Sequence, residues 1–216
     1  MDIATPAPAR PRIVQYFVFC TVLGIGVGLL LLASLGSDGY STLVNGISIA
    51  SNIPFAVVNI VVAAGFVVIA WARRLPPGWS TVVQPVYVGL VINGVLLADG
   101  PDSLLWRAVL LVVAFPVLVF GVAGYLGSGA GPGPTEAAAL AFDPPLPFRW
   151  SYSILHGSSA LIGWLLGGAF GVGTALVILV LGPAVDFVSA KVPRLDIHAS
   201  GKHTDEADAP VPCELP

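Results

Sequence analysis

The chain has 216 residues, of which 56% are hydrophobic and only 10% charged, with a formal net charge of −3. Soluble domains carry about 25% charged residues, so this chain has too few polar side chains to cover itself for water. An integral membrane protein is expected, with the lipid bilayer as its first partner. The weakly acidic balance and the lack of a basic patch exclude nucleic acid.

The first twelve residues form a Pro- and Ala-rich arm that carries Arg10 and Arg12. Residues 13–35 follow without a charge, too long for the ~7–15-residue apolar core of a signal peptide. They are read as a crossing helix kept in the mature protein. Gly24 and Gly28 give this run a GxxxG spacing, which lets a neighbouring helix approach closely.

The next segment, 36–52, is Gly- and Ser-rich. Apolar runs at 54–72, 79–98 and 103–127 come after it, and then a second long linker, 127–148. Two readings fit both linkers: short re-entrant helices satisfied inside the protein, or surface loops with an interfacial helix. Pro85 and Pro116 fall inside predicted helices and should bend them. The last two runs, 149–168 and 172–190, bring the expected total to six crossings. The acidic, Pro-containing tail 196–216 reads as disordered.

With the N-terminus inside, eight cationic residues lie on the cytoplasmic side (Arg10, Arg12, Arg73, Arg74, Arg149, Lys191, Arg194 and Lys202) and Arg107 alone lies outside. That obeys the positive-inside rule and puts both termini in the cytoplasm.

A shift of 93 residues aligns the two halves. Trp71 falls on Trp164, Gly78 on Gly171, Thr81 on Thr174, Gly89 on Gly182 and Asn93 on Asp186. Gly36 also falls on Gly129. Three crossings per half is an odd number, so the second half would enter the membrane from the opposite side. The expected fold is all-α: six helices as two inverted repeats, 13–98 and 103–190. Many secondary transporters use that arrangement around a site at the bilayer midplane.

The segment "GWLLGGAFGVGTALVILVLGPAVD" carries Gly163, Trp164, Gly167, Gly168, Gly171, Gly173, Thr174, Gly182 and Pro183. It resembles the C-terminal signature of the YczE/YitT-type bacterial membrane proteins. "GPGPTEAAAL" is similar to that family's Gly-x-Gly-Pro-Arg-Asp segment, with Gly131, Gly133, Pro134 and Glu136 matching and Thr135 where arginine is usual. The first-half Pro-Trp-Asp counterpart is replaced by Gly39, Tyr40 and Ser41. The resemblance implies a multi-spanning protein of the bacterial inner membrane and no particular activity.

Polar groups at membrane depth are candidates for function by default. Asp186 and His156 are both placed toward the inner side, where Glu136 of the inner linker would join them. A His–carboxylate pair can pass protons, yet the repeat mates Asn93 and Ala63 carry no charge, so the outer half of such a relay looks absent. Each candidate has a plainer structural role as well, Asp186 at the headgroup boundary and His156 bonded to a carbonyl. The amides Gln15, Asn59, Gln84 and Asn93 either bond neighbouring helices or line a polar cavity. No nucleophile elbow, phosphate loop or zinc motif occurs, so neither an enzyme, a cofactor nor a metal site is expected. Cys20 and Cys213 are too far apart in sequence to suggest a disulfide framework. The leading expectation is a permease-like protein for an unknown small solute. The alternative is a non-transporting scaffold that pairs with an envelope protein or with itself. A transporter requires a polar cavity at the repeat interface, and a scaffold a tight core with an exposed small-residue face.

Overall fold

The computed structural model describes residues 12–191, apart from 144 and 169. The N-terminal arm up to residue 11 and the tail, with His198, His203 and Cys213, lie outside the described residues. Eight helices follow in order: α1 (Ile13–Ala33), α2 (Gly39–Ser51), α3 (Phe55–Ala72), α4 (Trp79–Val95), α5 (Leu104–Leu126), α6 (Pro134–Leu140), α7 (Phe148–Leu165) and α8 (Val172–Lys191). There is no strand among the described residues. α1, α5 and α8 are long and apolar enough to cross a bilayer.

Large apolar side chains remain exposed along these helices, Ile60, Leu90, Val112 and Leu179 among them, each at least 66% accessible. A water-soluble protein does not tolerate so broad an apolar surface, whereas lipid tails do. The interior is built around α1 and α5, with Tyr16, Cys20, Leu30, Val122 and Tyr125 fully or almost fully enclosed. Gly24 and Gly28 bring α1 onto α4. A Cβ on either would lie 2.7 Å from the Cβ of Val91 or Val95, respectively.

Local geometry repeats at the same 93-residue interval as the sequence. α3 starts after Pro54 (φ −54°, ψ 137°) and α7 after Pro147 (φ −52°, ψ 143°). Both end alike: the N–H of Arg73 reaches the carbonyls of Ile69 and Ala70, and that of Leu166 those of Ile162 and Gly163. A left-handed residue follows, Arg74 (φ 68°) or Gly167 (φ 93°). The N–H of Leu75 or Gly168 then closes back on Ala70 or Gly163. α4 and α8 also share their opening, in which Thr81 or Thr174 accepts the N–H of Gly78 or Gly171 through Oγ1, at 3.3 and 3.4 Å. Each threonine satisfies a donor that the first turn of a helix leaves unpaired.

In the linkers the correspondence runs two residues longer. Gly36 (φ 112°) matches Gly131 (φ 108°), and the residues preceding the short helices are Asp38 and Gly133. Both linkers fold as helices within the protein rather than as surface loops. α2 lies along the second part of α7, and α6 along α3. Each half therefore lends its short helix to the third helix of the other half. α2 meets α7 backbone to backbone: added Cβ atoms on Gly39, Gly46 and Gly163 would overlap the backbones of His156, Gly163 and Thr42. The remaining small residues of the signature serve similar contacts. Gly168 lies against Thr42, Gly171 against Leu35, Gly173 against Gly36 and Gly182 against Arg149.

Helices α4 and α5 continue across Pro85 and Pro116. Ahead of Pro183 the helix widens into a π-helical turn, Val177–Leu181. A proline has no N–H and crowds the carbonyl four residues earlier; a wider turn relieves both defects.

Candidate functional site

Between the two halves lies a partly open cavity of about 580 Å³ to which all eight helices contribute. Its walls are mainly apolar, with Leu23 and Val27 of α1, Val88 of α4 and Leu118 and Val122 of α5. Its polar groups come from both halves and include Asp38, Tyr40, Asn45, Asn59, Gln84 and Asn93 from the first, and Glu136, Tyr152 and His156 from the second.

Asp38 is the N-cap of α2. One oxygen, Oδ2, accepts the N–H of Ser41 at 3.0 Å, which is why the helix can begin in the interior. The other, Oδ1, is buried without a hydrogen bond. Two residues on, the Tyr40 hydroxyl donates to Asn59 Oδ1 at 2.7 Å and so ties α2 to α3.

Glu136 stands in the first turn of α6, where the helix dipole favours a carboxylate. Its Oε2 accepts the Thr135 hydroxyl at 2.8 Å. Thr135 thus supplies one hydrogen bond at the position where the resembling family has arginine, but no charge. Burial pushes the Glu136 carboxyl above the ordinary carboxylate range, and the Thr135 bond opposes this in part.

His156 lies at the middle of α7, with its ring 4.2 Å from that of Tyr152, centroid to centroid. The residue is only 4% exposed, and neither ring nitrogen has a hydrogen-bond partner. An orphaned buried polar group costs about 1–3 kcal/mol. His156 belongs to the cavity wall, so a bound polar group that reached its ring would be stabilised by relieving that cost.

Of the residues singled out from sequence, Glu136, His156 and Asn93 come together at this cavity. Asp186 does not. It is half-buried in the last part of α8, five residues before Lys191, and lies outside the cavity lining. Of the amides, Asn59, Gln84 and Asn93 line the cavity, while Gln15 donates to the Gly124 carbonyl at 3.2 Å and joins α1 to α5. Asp38, which the comparison of repeat mates passed over, adds a first-half carboxylate to the same cavity. The signal was present in "SDGYST", an N-cap residue ahead of a helix, but the ungapped shift pairs Asp38 with Gly131 and so conceals the N-cap correspondence with Gly133.

The sequence profile of the family described as "Family of unknown function (DUF6198)" matches residues 10–190, a span that includes the cavity and all of the helices but the last residue of α8. The chain belongs to the DUF6198 family. A protein of Haemophilus influenzae, described as uncharacterized, is similar to this DUF6198 chain: 29% identical over 192 residues, covering 87% of this chain and 88% of its own length. No solved structure matches.

Proposed function

We propose that this chain is a six-span protein of the bacterial inner membrane, built as two inverted three-helix repeats. It binds a small solute between them and carries it across the bilayer by rocking of one half against the other. The observation that carries this reading is the cavity: it lies between the halves and brings together two carboxylates, a histidine and four amides from distant parts of the chain. α3, α4 and α7, of 18, 17 and 18 residues, are about 25–27 Å long at 1.5 Å per residue, enough to serve as the other three crossings. The repeated cap geometry and the exchange of α2 and α6 between halves support a common origin for the repeats. The likeness of Gly163–Pro183 to the YczE/YitT signature fits the same reading, in which the chain is not an enzyme and both termini are cytoplasmic.

The scaffold alternative needs small residues turned outward for a partner. Gly24, Gly28, Gly171 and Gly173 face neighbours in the same chain, which leaves Gly65 and Gly94 as the exposed helical glycines such a partner could use.

Two measurements test the reading. Single cysteines introduced as Pro77→Cys and Phe170→Cys in a cysteine-free background should label from opposite sides of the membrane; labelling from the same side would end the inverted topology. Purified protein in liposomes should accumulate at least one solute from a metabolite mixture above protein-free vesicles. Folded protein that accumulates none would remove the transport reading.

A further inference from the structure

The cavity's chemistry favours one class of solute, an inference that rests on the proposed solute site. Its charged side chains are the carboxylates Asp38 and Glu136, and no Lys or Arg among the described residues lines it. An anion would find no counter-charge and would face the Asp38 carboxylate in a low-dielectric space. A bare metal ion fits poorly too. Among the described residues no three His, Cys, Asp or Glu side chains converge closely enough to hold one, and the cavity is far larger than a single ion requires.

Two features point to a donor-rich cation with an apolar body. The buried Asp38 Oδ1 and both nitrogens of His156 have no hydrogen-bond partner, and the start of α2 beside Asp38 lies against the His156 backbone. A carboxylate oxygen accepts only, and a neutral imidazole has one accepting and one donating nitrogen, so two of these three atoms call for an N–H donor. The walls beyond it are aliphatic, from Val27, Val88, Leu118 and Val122. We propose that the Asp38–His156 corner binds the ammonium group of a primary amine whose apolar body lies against the aliphatic wall. The carboxylate supplies the counter-charge and the imidazole a second acceptor, while the apolar wall rewards the hydrocarbon.

The test uses the full chain in nanodiscs of phosphatidylcholine and phosphatidylglycerol, with three probes of one shape: 2-phenylethylamine, 3-phenylpropionate and 2-phenylethanol. The amine should bind saturably and raise the melting temperature, and should bind at least tenfold more tightly than the acid or the alcohol. Asp38→Asn keeps the N-cap, since Asn caps a helix as well as Asp does, but removes the charge. It should melt like wild type and weaken amine binding at least tenfold. Equal binding of acid or alcohol, or unchanged amine binding in Asp38→Asn, overturns the assignment. Phosphatidylethanolamine carries the same ammonium beside a phosphate, for which the cavity has no cation. Adding that lipid should leave amine binding unchanged, and loss of binding would identify a lipid headgroup as the occupant and overturn the soluble-amine assignment. If amines fail while liposomes still accumulate another solute, the substrate class falls and the transport reading stands. If neither binding nor uptake occurs, both fall.

Discussion

Replacing Gly163 with valine should lower this protein's folded stability by about 3 kcal/mol. Gly163 sits where α7 meets α2, and an added Cβ would overlap the Thr42 carbonyl and come within 2.6 Å of the Leu43 nitrogen. Gly46 makes the reciprocal contact against the Gly163 backbone. Helices in lipid associate through close contact of small residues, because the hydrophobic effect that joins helices in water is absent there. Backbone atoms cannot rotate away as a side chain can, so α2 would have to separate from α7. Overpacking costs about 1–3 kcal/mol and occasionally more, and rigid backbone on both sides puts this site at the upper end. A loss of about 3 kcal/mol corresponds to a fall of roughly 6–12 °C in melting temperature for a chain of this size. Gly46→Val should behave alike. Gly65→Ala is the control: its added Cβ meets nothing within 4 Å, and alanine improves a helix interior by about 1 kcal/mol over glycine. Wild-type melting of Gly163→Val in detergent would mean that α2 does not lie against α7 as described.

Gly89→Leu should have the opposite profile, abolishing uptake while leaving the fold intact. Gly89 belongs to the cavity-lining face of α4, with Gln84, Val88 and Asn93. A Cβ at this position meets nothing within 4 Å. A leucine can therefore extend into open space without displacing a neighbour, and it removes a helix-weakening glycine. The melting temperature should hold or rise slightly. Uptake of whichever solute the wild type accumulates should fall at least tenfold, because the added isobutyl group takes volume that the solute needs. Unchanged uptake in a protein that melts normally would show that the solute does not pass through this cavity. The two substitutions together separate the contacts that hold the halves together from the space between them.

The helices were readable because a chain this apolar leaves its backbone few choices. In lipid each peptide group must be bonded within its own segment, so an uninterrupted apolar run becomes a helix. Expected runs such as 54–72 and 172–190 accordingly differ by only one residue at either end from Phe55–Ala72 and Val172–Lys191. The 93-residue correspondence was also visible, since Gly78 with Thr81 and Gly171 with Thr174 are local signals that need only their own turn. The linkers remained open between two readings, because a stretch of small residues is helical at depth only if another helix has room to receive it. That room is made by Gly163 for α2, far along the chain, and no local pattern records the pairing.

By itself, then, the sequence determined an all-helical chain apolar enough for a membrane, the approximate runs of its long helices and the spacing of its halves, all of which depend on contacts within a few residues. Tertiary structure alone decided the site. It placed Asp38, His156, Glu136 and Asn93 on the same cavity, brought Gly39 against the His156 backbone and left Asp186 outside the lining. The physical reason is that depth and facing are set by how helices dock, and docking here depends on backbone contacts between glycines that lie far apart in the chain.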